Sequence, residues 1–426
     1  MMEIGFPEAL LILGALLVSA AGLSGWLGGT VLSISVLSVA AGVGLSLIDV
    51  IAVQPGATIV VLLVELALIL TLFSDGLLVE DELLKRHWAP PARALVIAMP
   101  LTLGLLALAA KTLFSQLSWA EAFLLAAVLA PTDPVVTSAV VTARRIPAAV
   151  RHTLNIESGL NDGLALPFVL FFLVVATGSG GAGAEAASLA GEAVVGAAIG
   201  FGMAFAAGRA LGRFPGGGIL HKYEGVYALG IALAAFGLAE VTYGNGLIAV
   251  FVAGIALAVA RHEIPASFSE FNESVSATFQ AITFLVFGAL VVATGWDGST
   301  LRLLVFILFA LLVARPLSVM ISLLGVALPR SQKLFVAWFG PKGVASMLFA
   351  LLVLNSTEVN RSLVFDVASF TVLASILAHG LTDTLGANWL ERRLGGSDGA
   401  NEDDIGQGVE AHQHDPADPI VPPARG

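Results

Sequence analysis

Long uncharged apolar runs recur along the whole chain, each about the length of a bilayer-crossing helix, and this repetition fixes the class of fold before any motif is read. Roughly 20 apolar residues carry a helix across the hydrocarbon layer. Lipid supplies no hydrogen-bond partner, so a crossing segment must be a helix or part of a closed barrel. Barrel strands need only about 10 residues of alternating character, whereas these runs are longer and continuous. An all-α integral membrane protein is therefore expected. Composition agrees: 12% of the 426 residues are charged, about half the roughly 25% usual in soluble domains.

Thirteen transmembrane spans are expected, near 7–23, 30–47, 57–74, 93–113, 119–140, 154–176, 187–208, 223–241, 245–260, 273–293, 303–325, 333–354 and 362–385. The first run lacks a basic region followed by a cleavage site and reads as a retained span. With the N-terminus outside, the cytoplasmic loops carry twelve Lys or Arg and the outer loops three (Lys111, Arg302 and Arg361). That is the bias of the positive-inside rule, and it puts Arg392, Arg393 and the C-terminus in the cytoplasm. Residues 1–394 form the membrane domain. Residues 395–426 form an acidic tail without periodicity, expected to be disordered, in which His412 and His414 are solvated. The stretch Asp75–His87 mixes apolar and charged residues and reads as a surface amphipathic helix. The chain has no cysteine, which excludes thiolate metal sites and disulfides, and no basic patch suited to nucleic acid.

Ionisable residues inside the membrane are expensive and are candidates for function. The fifth span contains Ala130-Pro131-Thr132-Asp133-Pro134. Its two prolines remove backbone donors, so the helix is expected to break there and present carbonyls beside a carboxylate, a cation-binding arrangement. The sixth span opens with Glu157-Ser158-Gly159-Leu160-Asn161-Asp162-Gly163. Ser158, Asn161 and Asp162 share a face at spacings of three and four, while Glu157 points elsewhere. Asp133 lies roughly 20 Å from the outer face and Asp162 about 12 Å from the inner one, at 1.5 Å per residue, which are similar levels in a core of about 30 Å. Two carboxylates on antiparallel neighbours can then bind one hard cation or protons in its place. Glu65 is the lone acid of the third span and a further candidate for that site.

Arg315-Pro316 lies in the eleventh span. Arginine cannot shed its proton and needs an anion, for which Glu157 is the best placed. The twelfth span holds Phe339-Gly340-Pro341-Lys342-Gly343, a second set of helix breakers, with Lys342 placed to offset negative half-helix ends. Spans 5 and 12 are seven apart and cross the membrane in opposite directions. Matched broken helices in oppositely oriented halves point to an inverted-repeat transporter with its site at the crossing.

These motifs in this order resemble the NhaP/NHE branch of cation:proton antiporters, the group with an Asn-Asp pair. The resemblance rests on Pro131–Pro134, Glu157–Asp162, Gly-Asn-Gly-Leu-Ile-Ala-Val-Phe-Val-Ala-Gly at Gly244–Gly254, Ala314–Ser318, Phe339–Gly343 and His-Gly-Leu-Thr at His379–Thr382. It implies a homodimer with a dimerisation domain beside a mobile core of two crossed, discontinuous helices. Asp162 would be the ion-carrying carboxylate, with Asp133, Ser158, Glu65 and the carbonyl of Thr132 helping to hold the cation. Asn161 would occupy the place of a second aspartate in electrogenic relatives, implying exchange of one proton for one cation. Glu157 and Arg315 would be the family's structural ion pair. Lys342 departs from the arginine common there.

The expected function is a secondary transporter rather than an enzyme, exchanging Na⁺ or Li⁺ for H⁺ across the inner (plasma) membrane without a cofactor, with K⁺/H⁺ exchange as the alternative. A passive cation channel is a more distant reading. An intramembrane aspartyl protease using Asp133 and Asp162 is opposed by the second broken helix and the lack of a Gly-x-Gly-Asp loop.

Overall fold

The computed structural model describes residues 11–12, 14–19, 22, 34–51, 53–54, 57–83, 88–133, 146–177, 182–210, 223–260, 266–296, 298–356 and 360–394. Among them every regular element is helical. In chain order these are α1 (Ile34–Leu47), α2 (Thr58–Leu83), α3 (Ala89–Leu113), α4 (Trp119–Val128), α5 (Ala148–Thr177), α6 (Ala182–Ala210) and α7 (Glu224–Glu240). They continue with α8 (Gly246–Ala260), α9 (Ala266–Thr294), α10 (Thr300–Ser322), α11 (Arg330–Trp338), α12 (Val344–Leu354) and α13 (Arg361–Leu394). Segments of α2, α3, α5, α6, α9, α10 and α13 are long and apolar enough to cross a membrane. The short α4, α11 and α12 have a different cause: α4 ends where Pro131 approaches, and α11 and α12 are separated by the breakers at 339–343.

Several boundaries differ from the sequence expectation. The third span does not end at residue 74, because α2 runs unbroken to Leu83. Ser74-Asp75-Gly76 is helix interior, and no separate amphipathic helix starts at Asp75; residues 84–87 lie outside the described residues. The sixth span starts at Ala148, so Glu157 to Gly163 are two to four turns inside α5 rather than at its opening. Arg392 and Arg393 sit in the last turn of α13 instead of following it. Residues 134–145, which include the last part of the fifth span, lie outside the described residues, as do part of the first span and the acidic tail.

Two helices carry the same irregularity. In α3 the turn Ala94–Ala98 widens to π-helical winding just before Pro100. In α10 the turn Ala310–Ala314 does so just before Pro316. A proline lacks the donor for the carbonyl four residues back and its ring crowds that carbonyl. Those carbonyls, on Val96 and Leu312, fall within the widened turns, which give the crowded backbone room. These helices are the fourth and eleventh spans, seven apart like the two broken ones, and each directly precedes a broken span. The Arg315–Ser322 half of α10, which directly follows its own widened turn, packs on the widened turn of α3.

Packing divides the helices into two groups. One, here termed the panel, comprises α1, α2, α6, α7, α8 and α9, with α8 lying against both α6 and α2, and α9 against α1. The other, the core, comprises α3, α4, α5 and α10 to α13. The panel helix α2 also packs on α5 and α12 of the core.

Candidate ion site at the helix crossing

The unwound segment 131–133 after α4 meets the unwound segment 339–343 between α11 and α12. Asp133 N–H donates to Pro341 O at 2.8 Å, and Val344 N–H donates to Asp133 Oδ2 at 3.0 Å. Val344 is the first residue of α12. Asp133 thus meets the unsatisfied amides and positive dipole end of a half-helix, one belonging to the opposite repeat. No side chain fits at residue 343, where a Cβ would overlap the Asp133 carboxylate.

Lys342 answers the other charge of the crossing. Its Nζ lies 3.4 Å from Ala130 O and 3.3 Å from Pro131 O, carbonyls freed where α4 stops. A cation against a helix C-terminus offsets the negative dipole end. Lys342 is 2% exposed, so it does not snorkel to the surface. Its own amide donates to Ser375 Oγ on α13 at 2.8 Å.

Arg315 reaches Glu157 in a bidentate pair, Nη1 to Oε1 at 2.6 Å and Nη2 to Oε2 at 3.2 Å. Nη2 also approaches Phe339 O at 3.3 Å. The pair joins α10 to α5 and steadies the start of the 339–343 break. A Cβ at residue 340 would run into the guanidinium, so glycine is required there too.

Asp162 lies one and a half turns beyond Glu157 on α5, is buried, and faces α2. The residue it meets there is Asp75, which sequence reasoning placed outside the membrane. The two carboxyls are within hydrogen-bonding reach of each other, and Asp133 is close enough to act on both. Asn161 donates from Nδ2 to Thr132 Oγ1 at 2.6 Å, fastening α5 to the first break, and Ser158 is buried on the same helix. Among the described residues, Asp75 Oδ2, Asp162 Oδ1 and Asn161 Oδ1 are buried with no hydrogen-bond partner. Three orphaned oxygens on Asp75, Asp162 and Asn161 are what a cation would need, since buried polar atoms are otherwise bonded. No cluster of three or more His or acidic groups close enough for a metal centre occurs among the described residues. Carbonyl, hydroxyl and amide oxygens would have to complete the coordination.

Asp133, Asp162, Asn161, Thr132 and Lys342 are therefore gathered at the crossing, with Ser158 buried one turn before Asp162 on α5. Glu65 is not: it is ten residues before Asp75 on α2, about 15 Å along the axis, and is only partly buried.

Residues 11–385 match the family model described as sodium/hydrogen exchanger, transmembrane. A K(+)/H(+) antiporter NhaP from Alkalimonas amylolytica is 26% identical over 334 residues, 77% of this chain and 57% of that protein. A Na(+)/H(+) antiporter from Schizosaccharomyces pombe is 28% identical over 320 residues, 64% of this chain and 65% of that one. The chain thus spans little more than half the length of the first of these relatives. The sodium proton antiporter MjNhaP1 from Methanocaldococcus jannaschii, solved at pH 8, superimposes with a TM-score of 0.72 at 21% identity, covering 91% of this chain and 98% of that one.

Proposed function

The chain belongs to the sodium/hydrogen exchanger transmembrane family, and we propose that it exchanges a monovalent cation, Na⁺ or Li⁺, for H⁺, with both ions competing for Asp162. The supporting observation is the facing pair of Asp75 and Asp162 with unpartnered buried oxygens. Two carboxyls this close in a buried site are stable only with a proton or a cation between them. Carrying a bare carboxylate through an apolar gate is costly; loading by either ion removes that cost, so the loaded core moves and the empty one stays. Asp133, Thr132 and Ser158 complete the cation's shell beside Asp75. Asn161 supplies no second mobile charge, in line with one cation for one proton. Glu65 has no part in this site.

K⁺/H⁺ exchange is the second reading, favoured by the function named for the Alkalimonas relative. The protein works in the inner, or plasma, membrane with its N-terminus outside and its C-terminus in the cytoplasm, as the distribution of Lys and Arg supports. It forms a homodimer through panel helices.

The test is purified protein in proteoliposomes, pulsed in turn with Na⁺, Li⁺ and K⁺ while a trapped dye reports internal pH, with and without protonophore. One cation should drive dye recovery that persists when the protonophore collapses the voltage. Asp162→Asn, folded by size-exclusion profile, should give none. Undiminished exchange in that variant overturns the assignment of Asp162; cation flux without proton counterflow overturns exchange itself.

A further inference from the structure

The break at 339–343 is held from two sides. On the site side, Arg315 binds Phe339 O, Asp133 N–H binds Pro341 O and Asp133 Oδ2 receives Val344 N–H. On the far side stands α13, which contributes Ser375, His379 and Thr382, spaced four and three apart and so on one helical face. Ser375 Oγ accepts the Lys342 amide at 2.8 Å. His379 Nε2 lies 2.9 Å from Trp338 O, the carbonyl that ends α11. The Trp338 indole N–H donates to Thr382 Oγ1 at 3.0 Å, and the indole and imidazole rings pack at a tilt of 30° with centroids 5.1 Å apart.

This clasp has a physical reason. The last carbonyls of a helix have no partner within it, and Pro341 has no N–H to offer. Trp338 O is one of those orphans, in a region where water is scarce. An apolar residue at position 379 would fill the space and leave the carbonyl bare. The imidazole is itself nearly enclosed, 2% exposed, and burying it is tolerable only because both ring nitrogens have partners. Nδ1 lies 3.2 Å from Ser375 Oγ and 2.7 Å from Ser375 O. In the Nε2–H tautomer Nδ1 accepts the Ser375 hydroxyl proton; in the doubly protonated ring both nitrogens donate to carbonyls. The bond from Nε2 to Trp338 O is present in each form that carries a proton on Nε2.

We propose that His379 is a positioning residue of the exchange site: by holding the carbonyl at the end of α11 it fixes the break on which Asp133 and Lys342 are mounted. A shift of this backbone moves Pro341 O and Val344 N away from Asp133 and carries Lys342 Nζ off the carbonyls of Ala130 and Pro131. His379 itself touches no ion. Its loss therefore weakens apparent cation affinity more than it slows the loaded transporter. The inference rests on the reading of the Asp162 cluster as the exchange site.

Three substitutions separate the bond from the bulk. His379→Gln puts an amide N–H near the position of Nε2, His379→Asn reaches only as far as Nδ1, and His379→Leu fills the volume without a donor. In proteoliposomes driven by Na⁺ and, separately, by K⁺, His379→Gln should keep the apparent KM within about twofold, while His379→Asn and His379→Leu raise it roughly tenfold, the size expected for one buried hydrogen-bond partner left bare. The maximal rate should change much less. Trp338→Phe keeps the ring contact and removes only the Thr382 bond; it should raise KM about threefold, on the scale of a single neutral hydrogen bond, and it serves if His379→Leu does not accumulate. A KM unchanged in His379→Leu, or in both His379→Asn and Trp338→Phe, overturns the proposal, as does a His379→Gln variant as impaired as His379→Leu. Asp162→Asn runs alongside. If it still exchanges, the site reading fails; if it is silent while His379→Leu is normal, only the role of His379 fails.

Discussion

In the panel, helices are joined by the absence of side chains; in the core, by charges and broken backbone. A Cβ on Gly42 of α1 would strike the backbone of α9 at Leu285, and one on Gly288 of α9 would strike Val39 of α1. Gly76 of α2 and Gly254 of α8 face each other in the same way, and Gly196 and Gly200 of α6 lie on the backbone of Asn245 and Ala249. Between helices in lipid there is little hydrophobic drive, so close approach and dispersion supply the attraction, and glycines four apart are the device for it. The core instead holds Glu157 on Arg315, Asp133 on the α12 amide and Lys342 on the α4 carbonyls. Glycine packing tolerates almost no sliding, which suits a fixed frame. A polar network can hold geometry while leaving chosen oxygens unsatisfied, which suits a site that must bind and release. Asp75 stands between the two: it belongs to a panel helix and faces Asp162 of the core.

The contrast breaks most visibly at the ion pair. Glu157→Gln alone leaves the Arg315 guanidinium buried without its anion and should destabilise the folded protein by about 3–5 kcal/mol, as breaking a buried pair does. The double variant Glu157→Leu, Arg315→Leu should be less damaged than the sum of the single ones. Thermal unfolding in detergent measures both; additivity would show that the two groups act independently and that the core is not held by the pair.

The glycines sharpen the comparison from the other side. Gly200→Leu in the panel should lower stability by roughly 1–3 kcal/mol through overpacking and leave the apparent cation KM unchanged in the surviving protein. Gly343→Ala, at the crossing, should raise KM because the new methyl displaces Asp133. A KM effect from Gly200→Leu, or none from Gly343→Ala, would remove the distinction between frame and site.

Asp75→Asn tests the residue shared by both regions. It should raise the apparent KM about tenfold, the scale of one weakened charge-assisted contact, without abolishing exchange, since Asp162 keeps its carboxyl. Abolition equal to that of Asp162→Asn would make Asp75 a carrier in its own right.

How much of this was legible follows from which residues are fixed by local spacing. The helical class, the two breaks and the shared face of Ser158, Asn161 and Asp162 need only apolar run length, proline chemistry and the helical period. Asp75 was hidden because Ser-Asp-Gly followed by Glu80, Asp81 and Glu82 reads as a membrane exit. The signal against that was Leu77-Leu78-Val79, an apolar stretch that continues the run beyond Asp75 and keeps the acid inside α2. Glu65 attracted notice as a lone acid, but ten residues of helix separate it from the site. Pro131 and Pro134 announce a break without saying which amides Asp133 will meet. That the partner is Val344, some two hundred residues on, is a property of the crossing and has no local trace. The clasp of α13 on Trp338 is invisible for the same reason.

The smallest expected effect lies at the far end of the core. Ser118 caps α4, accepting from Glu121 N–H at 3.2 Å, while the Glu121 carboxylate accepts Ser118 N–H at 2.6 Å. The same carboxylate takes Asn360 N–H at 3.2 Å and Asn360 Nδ2 at 2.7 Å, tying the start of α4 to the approach to α13, so that a capping box doubles as a strap between two core helices. Glu121→Gln keeps the shape and loses the charge that strengthens these bonds, and should cost about 1 kcal/mol. Because the strap joins core to core and lies several helical turns from Asp162, apparent KM should be unaffected while the melting temperature falls slightly. A KM change without a stability change would place Glu121 in the conduction path and shift the boundary between what holds the core together and what makes it bind.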